Sequence, residues 1–154
     1  MRVRAWLAAA GSPAEVIELN ETARSAQDAA DSIGTELGSI VKSLVFAVAG
    51  QPVMALVAGD RQCDTKALAA VLGLDGKATR ADADIVRDAT GFTIGGVAPV
   101  AHERDLPIAI DTSLGRFATV YAAAGHPYCV FATSLDELER LTGAKLSEDI
   151  CTAG

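Results

Sequence analysis

Two apolar runs interrupted by a glycine constrain the fold of this chain more than any other feature of its sequence. The segment IVKSLVFAVAGQPVMALVAGD, residues 40–60, is rich in Val and Ala on both sides of Gly50-Gln51-Pro52. Runs of this composition favour β-strands, and a short glycine-containing break between them is typical of a β-hairpin. Because the runs are so apolar, the predicted hairpin must be buried on at least one face, and other elements have to cover it.

The rest of the chain predicts helices and further strands around this hairpin. Helices are indicated by capping residues and glycine stops at 3–10, from Thr22 or Ser25 to Gly34, at 64–73, at 81–91 and at 134–143. Strands are indicated at 15–19, 106–111, 117–125 and 128–133, with a tight turn at 111–116. Because strands follow one another in runs, this order predicts an α+β domain around a mixed sheet, either open or closed, and disfavours a parallel nucleotide-binding sheet.

Length and composition predict one globular domain over residues 1–154. Half of the residues are hydrophobic, which is ample for a core, yet no stretch of 18 apolar residues predicts a membrane span. The three cysteines are widely spaced and form no C-x-x-C pair, which fits a reducing cytoplasm better than a disulfide framework or a zinc site. A net charge of −7 speaks against a broad basic surface for nucleic acid.

Lys42 is an unusual residue for its position, because it interrupts the first apolar run. Alternation along a strand places it on the same face as Leu44 and Phe46. A lysine among such neighbours is unfavourable unless its ammonium reaches water or meets an anion. From position alone, access to solvent at the start of the strand is the favoured explanation, and an anion-binding role is the alternative.

The glycine-rich stretch TGFTIGGVAP, residues 90–99, offers no acid, base or metal ligand. It matches neither the dinucleotide-binding nor the P-loop template, because no helix follows it and no lysine ends it. Two interpretations remain: a simple turn, or a loop in which Gly95 and Gly96 present backbone N–H groups to a carbonyl oxygen or a phosphate.

Other candidates for chemistry are weaker. His126 follows a glycine between two apolar runs, as an exposed turn residue would, and His102 lies in a charged stretch that predicts exposure to solvent. Asp111 ends a predicted strand, where capping of the next turn is the common role. No Ser-His-Asp or Cys-His pattern is present, and two histidines cannot form a metal site alone. The sequence therefore predicts no metal and no cofactor.

Several motifs, taken together and in order, resemble the YbaK-type family of aminoacyl-tRNA deacylases, the editing domains associated with prolyl-tRNA synthetase. The resemblance extends from Thr22 to Leu141. The motifs are TARSAQDAA, IVKSLVF, GDRQCD, TGFTIGGVAP, IDTSL and YAAAG.

This resemblance implies a barrel-like mixed sheet flanked by helices and an activity, hydrolysis of the ester that joins a wrong amino acid to the 3' end of a tRNA. It implies that Lys42 is the essential lysine, which holds the terminal phosphate or the ester region, and that substrate groups assist instead of a protein base. The partners it implies are mischarged tRNA and, in addition, prolyl-tRNA synthetase. The substrate-binding residues it implies, together with the candidates found above, are Ser43, Phe46, Gly91, Gly95, Gly96, Val97, Pro99, Asp111 and His126.

One segment departs from the family pattern and bears on the substrate. Some cysteine-editing members have Ser-Gly-Gly-Lys-Arg-Gly where this chain has AAGHPY at residues 123–128. The departure favours alanine or another small amino acid over cysteine as the group removed from tRNA for proline. The alternatives to a deacylase are a non-catalytic module that binds a small ligand or a protein on the same fold, and an esterase for small molecules.

Overall fold

The predicted hairpin forms the centre of the main sheet in a computed structural model, which describes residues 2–19, 25–93, 96–126 and 128–153. The α-helices of these residues are α1 (Arg2–Ala9), α2 (Ala26–Ile33), α3 (Thr65–Val71), α4 (Ala83–Thr90) and α5 (Leu135–Thr142). Short 3₁₀ helices span Leu37–Ser39 and Thr112–Arg116. The strands are β1 (Val16–Glu18), β2 (Ile40–Val48), β3 (Gln51–Ala58), β4 (Arg61–Cys63), β5 (Thr79–Arg80), β6 (Ile108–Asp111), β7 (Val120–His126), β8 (Cys129–Thr133), β9 (Lys145–Ser147) and β10 (Cys151–Ala153).

The main sheet is mixed, as predicted. Its strands follow the order β1-β8-β7-β2-β3-β6-β9, β5 pairs with β2 in addition, and β4 and β10 form a separate two-stranded sheet. The β2/β7, β3/β6 and β6/β9 pairs are parallel and the remaining pairs are antiparallel. The sheet curls into a half-barrel flanked by helices, which confirms the α+β fold class.

The turn of the central hairpin lies earlier than the sequence predicted. Ala49 and Gly50 form it, with φ angles of 49° and 83°, and Gln51 already pairs with Val48. Two-residue turns with positive φ at both positions match the twist of the flanking strands. The predicted break at Gly50-Gln51-Pro52 was therefore wrong by about one residue, and Pro52 belongs to β3.

Both faces of the hairpin are buried, which explains why its two runs are so continuously apolar. On β3, Met54 and Leu56 pack into a core on one face, while Val53 and Val57 pack into a second core on the other. Helices α1, α4 and α5 cover the first core and α3 covers the second. Alternation places Lys42 on the face of the second core.

The helix limits follow the capping signals in the sequence. Side chains at the N-caps accept hydrogen bonds from backbone N–H groups of the first turn, and glycines in the left-handed region end three of the helices. The N-caps are Ser25, Asp64, Asp82 and Ser134, and the terminal glycines are Gly34, Gly91 and Gly143. Thr22, the other predicted cap of α2, lies outside the described residues.

Four short strands, β4, β5, β9 and β10, were not predicted, and the turn at 111–116 is a 3₁₀ helix. Segments of two or three residues carry too little periodicity to be recognised in sequence, and their partners are distant along the chain. In the second sheet, for example, Cys151 of β10 lies opposite Cys63 of β4. Within the described part of the chain, none of the helices has the length and apolarity needed to cross a bilayer.

Candidate functional site

A gap in the main sheet opens beside β2. On one side β2 pairs with β3 throughout, but on the other it pairs with β7 only at Ile40 and Val41 and with β5 only at Phe46 and Ala47. Among the described residues, no strand pairs with residues 42–45 on this second side. A cleft occupies the gap between β7 and β5.

Most of the cleft wall is apolar. The cleft has a volume of about 240 Å³ and receives side chains from both faces of β2 and from α2, α4, β7 and β8. Such a small apolar chamber suits a small aliphatic group with a few polar contacts. The apolar lining includes Ala29, Val41, Val45, Val86, Val97 and Val130.

Ser43 supplies polar groups to this cleft. Val45 accepts a hydrogen bond from the Ala81 N–H across the gap, at 3.3 Å. Hydrogen-bonding direction alternates along a strand, so the N–H and C=O of Ser43 point toward the same side. The hydroxyl Oγ of Ser43 is buried without a hydrogen-bond partner among the described residues, which is costly unless a ligand or water occupies the cleft.

The charged groups around the cleft are cationic. The ionisable side chains that line it, among the described residues, are Lys42, Arg80, Tyr121 and Cys129, with no carboxylate and no histidine. Burial raises the pKa of the Cys129 thiol, so this group stays neutral. The cleft therefore has a local positive potential within a chain of net charge −7, which suits an anionic ligand.

Lys42, one of the residues that line the cleft, is anchored through its ammonium by a backbone carbonyl. Nζ donates a hydrogen bond to the carbonyl oxygen of Arg61 at 2.6 Å. An ammonium has three N–H donors, so two remain for a ligand. The side chain of Lys42 is partly buried, and its role in binding an anion stays a prediction.

Arg61 itself is held by two groups from distant strands. Its Nε lies 3.4 Å from Oδ2 of Asp111, and its Nη2 donates to the carbonyl oxygen of Cys151 at 3.0 Å. Asp111 is 1% exposed and also accepts hydrogen bonds from the N–H and the hydroxyl of Ser113, at 2.9 and 2.6 Å. Asp111 is not among the residues that line the cleft.

Two thiols lie in the same region. Burial is the main cause that raises the pKa of Cys63 to about 11 and that of Cys151 to about 12. The carboxylate of Asp111 adds to both shifts. At neutral pH both thiols are therefore protonated and poor nucleophiles.

Arg2 joins the two ends of the glycine-rich segment. Its guanidinium donates to the carbonyl of Thr90 at 2.6 Å and to that of Ala101 at 2.8 Å, and lies 4.3 Å from the centre of the Phe92 ring. Ala101 adopts a φ of 63°, an unfavourable conformation for a residue with a Cβ. The Thr90 hydroxyl, fully buried, donates to the Val86 carbonyl and accepts from the Phe92 N–H.

Within this segment, Gly91 and Gly96 have different roles. Gly91 ends α4 with a φ of 79°. A Cβ on Gly96 would lie 3.2 Å from N, Cα and C of His126, so the glycine allows the segment to approach the end of β7 closely. Gly95 lies outside the described residues, so its predicted role stays a prediction.

The structure brings some of the predicted site residues together and leaves others apart. Lys42, Ser43 and Val97 line the cleft. Of the other described candidates, Phe46 is buried in the second core and Pro99 is also buried. His126 is exposed at the end of β7. Gly91, Gly96 and Asp111 do not line the cleft.

Residues that sequence reasoning did not place at the cleft include Tyr121, Cys129 and Arg80. Tyr121 begins the YAAAG motif, but that motif gave it no role, and no sequence signal marks Arg80 or Cys129. Tyr121 and Arg80 reach the cleft through the pairing of β7 and β5 with β2. His102, predicted to be solvated, is partly buried, and its Nε2 lies 2.7 Å from the Ala98 carbonyl. Burial lowers the pKa of His102.

No metal site is formed by the residues that the structure describes, since no three His, Cys, Asp or Glu side chains among them are arranged to hold an ion.

Known proteins are similar to this chain in sequence and in structure. The Bacillus subtilis (strain 168) protein YwhH is 33% identical over 138 residues, which are 89% of this chain and 87% of YwhH. An Enterococcus faecalis protein named "Putative Cys-tRNA(Pro)/Cys-tRNA(Cys) deacylase EbsC" is 26% identical over 126 residues, 80% of this chain and 76% of that protein.

A solved structure described as a "putative trans-editing enzyme for prolyl tRNA synthetase" superposes with a TM-score of 0.91 at 37% identity, covering 99% of this chain and 96% of the other. The family model of the aminoacyl-tRNA editing domain matches residues 20–141. The gap beside β2, with its lysine and its cationic lining, is thus found within a fold shared with these proteins. The chain belongs to the aminoacyl-tRNA editing domain family.

Proposed function

We propose that this protein hydrolyses the ester bond of mischarged tRNA, acting in trans on tRNA for proline that carries a small wrong amino acid such as alanine and, less readily, cysteine. The observation that carries the proposal is the Lys42 ammonium, fixed at the edge of a small cationic cleft with two donors left over. Family membership supports the reaction class. The names of EbsC and of the solved structure support the link with tRNA for proline.

The cleft suits the 3' end of an aminoacyl-tRNA. Its apolar walls would accommodate a small aliphatic side chain, while Lys42 and the exposed Arg80, which both line the cleft, would meet the terminal phosphate and the ester. This local cationic surface answers the difficulty posed by the net charge of −7, because only the terminal nucleotide has to meet positive charge. Added salt should slow deacylation, since each phosphate contact releases counterions.

The chemical step is attack of water on the ester carbonyl, with departure of a ribose oxygen of the tRNA. Negative charge develops on the carbonyl oxygen, and the donors of Lys42 and the N–H of Ser43 are placed to stabilise it. Since no carboxylate or histidine lines the cleft among the described residues, a substrate hydroxyl would orient the water and relay its proton to the departing ribose oxygen. Catalysis then rests on positioning and electrostatic stabilisation.

The substrate-binding roles of Phe46, Gly91, Gly95, Gly96, Val97, Pro99 and His126 remain part of the proposal. Val97 has the most direct support, since it lines the cleft. Gly96 and His126 meet at the end of β7, where they would shape one wall. An association with prolyl-tRNA synthetase and action in the cytoplasm also belong to the proposal.

A deacylation panel tests the proposal. Purified protein is incubated with tRNA for proline that carries alanine, cysteine, serine, 2-aminobutyrate or proline, and release of each amino acid is measured. We expect rapid release of alanine, slower release of cysteine and no release of proline. Lys42→Ala should lose the activity with its folding intact, while the matched variant Lys66→Ala, which removes a lysine that does not line the cleft, should keep it.

Two results would contradict the proposal in distinct ways. Release of no amino acid, together with specific binding of a free metabolite, would favour a non-catalytic binding module. Turnover of simple esters without tRNA would instead favour a small-molecule esterase. Activity of Lys42→Ala equal to that of the unmodified protein would refute the assignment of the essential lysine.

A further inference from the structure

The contact that fixes Lys42 depends on a backbone carbonyl whose own position is controlled from elsewhere. Nζ of Lys42 donates to the Arg61 carbonyl at 2.6 Å. Arg61 begins β4, which has three residues and pairs in its small sheet with β10, also of three residues. A two-stranded sheet of this size has little stability of its own. Other contacts must therefore hold the carbonyl in place.

The side chain of Arg61 provides those contacts. Its guanidinium lies between the Asp111 carboxylate at the end of β6 and the Cys151 carbonyl in β10. The contact with Asp111 is an ion pair with Nε at 3.4 Å in which Nε makes no hydrogen bond to the described residues, whereas Nη2 donates a hydrogen bond to the Cys151 carbonyl at 3.0 Å. Asp111 is in turn fixed by both polar groups of Ser113. The side chain of Asp111 is 2% exposed and that of Arg61 28% exposed, so solvent screens their attraction only partly.

We propose that Asp111 is a positioning residue that acts through Arg61 to hold the Lys42 ammonium at the cleft. Asp111 fixes the Arg61 guanidinium, the guanidinium joins β6 to β10, and the Arg61 carbonyl on β4 then receives Lys42. The inference rests on the proposed deacylase function and assigns Asp111 a role without direct contact with substrate.

Charge in this cluster agrees with that role. Lys42 and Arg61 bring two positive charges and Asp111 one negative charge, and Asp111 lies against Arg61. Asp60 also interacts with Arg61 and Arg116 with Asp111, but Asp60 and Arg116 pair with each other and add no net charge. The negative charge is thus matched by Arg61, and the charge of Lys42 stays available to an anion in the cleft. Without Asp111, the partly buried guanidinium would lose its counterion.

Asp111→Asn tests the inference by enzyme kinetics. The substitution keeps the size of the side chain and an oxygen for Ser113, but removes the charge that holds Arg61. We expect kcat for tRNA for proline that carries alanine to fall by about 10- to 100-fold, because small displacements of a catalytic group have effects of that order. KM should change by less than kcat, because Arg80, which also lines the cleft, still binds the substrate, whereas a displaced Lys42 ammonium no longer stabilises the charge that develops on the reacting carbonyl.

A second measurement follows the hydrogen bond from Lys42 to the Arg61 carbonyl and does not depend on enzyme activity. The chain has four lysines, Lys42, Lys66, Lys77 and Lys145, so the side-chain ammonium NMR spectrum of ¹⁵N-lysine-labelled protein is simple. A hydrogen bond as short as that from Lys42 to Arg61 should slow proton exchange and give a sharp resonance, assigned by its loss in Lys42→Arg. In Asp111→Asn this resonance should broaden or disappear.

Asp88→Asn is the matched control. It makes the same change in net charge and also removes the partner of an arginine, Arg104, but at an exposed ion pair on α4, which covers the first core and is not part of the small sheet of β4 and β10. We expect it to leave both kcat and the Lys42 resonance unchanged. If Asp111→Asn fails to fold, Ser113→Ala carries the same test in a milder form, since it removes one hydrogen bond to Asp111.

The outcomes separate the inference from the proposed function. A folded Asp111→Asn protein with unchanged kcat, a rise in KM alone, or an unaltered Lys42 resonance would overturn the positioning role. If the unmodified protein released no amino acid from any tRNA, the proposed function would fail. The NMR comparison would still decide whether Asp111 controls Lys42.

Discussion

Substitution of Gly91 by alanine tests how firmly the glycine-rich segment is held beside the cleft. Gly91 adopts a φ of 79°, where a Cβ costs about 1–2 kcal/mol. The added Cβ would also collide with the Arg2 guanidinium and lie 2.7 Å from Cγ of Glu103. Arg2 could avoid this collision only by leaving the carbonyls of Thr90 and Ala101.

The expected magnitude follows from these two effects. Hydrogen bonds from a charged donor contribute about 1.5–3 kcal/mol when buried, and the 38% exposure of the Arg2 side chain reduces their joint value here to about 1–2 kcal/mol. With the conformational penalty, the free energy of unfolding should fall by about 2–4 kcal/mol. Gly143→Ala is the matched control, because Gly143 ends α5 with a φ of 63° and a Cβ added to it would meet no atom of the described residues within 4 Å. That variant should lose only about 1 kcal/mol.

Urea denaturation of both variants provides the measurement, with the midpoint expected to fall and the slope to stay constant. The comparison is repeated in an Arg2→Ala background, where the excess effect of Gly91→Ala should disappear, since the guanidinium is already gone. Equal losses for Gly91→Ala and Gly143→Ala would refute the reasoning. An excess that persists without Arg2 would also refute it.

Three further predictions concern buried polar groups. Thr90→Val should lower the free energy of unfolding by about 1–3 kcal/mol in urea denaturation, because the buried Phe92 N–H loses its acceptor; an unchanged midpoint would contradict this. Ser43→Ala should raise thermal stability slightly, since Oγ is buried without a hydrogen-bond partner among the described residues. The same variant should release alanine from tRNA for proline more slowly, and faster turnover would argue against a contact between Ser43 and the substrate. Stability should fall as pH rises from about 9 to 11, because unfolded thiols ionise near 9 whereas folded Cys63 and Cys151 keep their protons to about 11 and 12. A variant with alanine at both cysteines should show a smaller loss in urea midpoints between these pH values, and an equal loss would count against the thiols as its source.

Much of the fold was predictable because its signals are local. The hairpin at residues 40–58 follows from apolar β-branched composition, and the ends of α3, α4 and α5 follow from Asp and Ser caps and from glycines. Each of these signals acts within a few residues of the chain, so sequence pattern is sufficient to read it. The short strands β4, β5, β9 and β10 lack such signals, and they were missed.

The candidate site was predictable only in part. Lys42 stood out because a lysine within an apolar strand is unusual, and family resemblance gave it a role. Its acceptor, the Arg61 carbonyl, could not be predicted, because every residue has a backbone carbonyl and residue type does not mark which one accepts a hydrogen bond. The link from Asp111 to Arg61 was equally hidden, since 50 positions separate them and only the pairing of β3 with β6 brings their strands together.

By itself, the sequence determined an α+β chain with a buried hairpin, a lysine in its first strand and a glycine-rich segment after the fourth helix. The tertiary structure decided that β7 and β5 leave residues 42–45 unpaired, and thereby created the cleft. It also decided that Lys42 is partly buried and that its ammonium donates a hydrogen bond to the Arg61 carbonyl. The physical reason is that local propensities act over a few residues, whereas a gap in a sheet depends on which distant strands find room to pair.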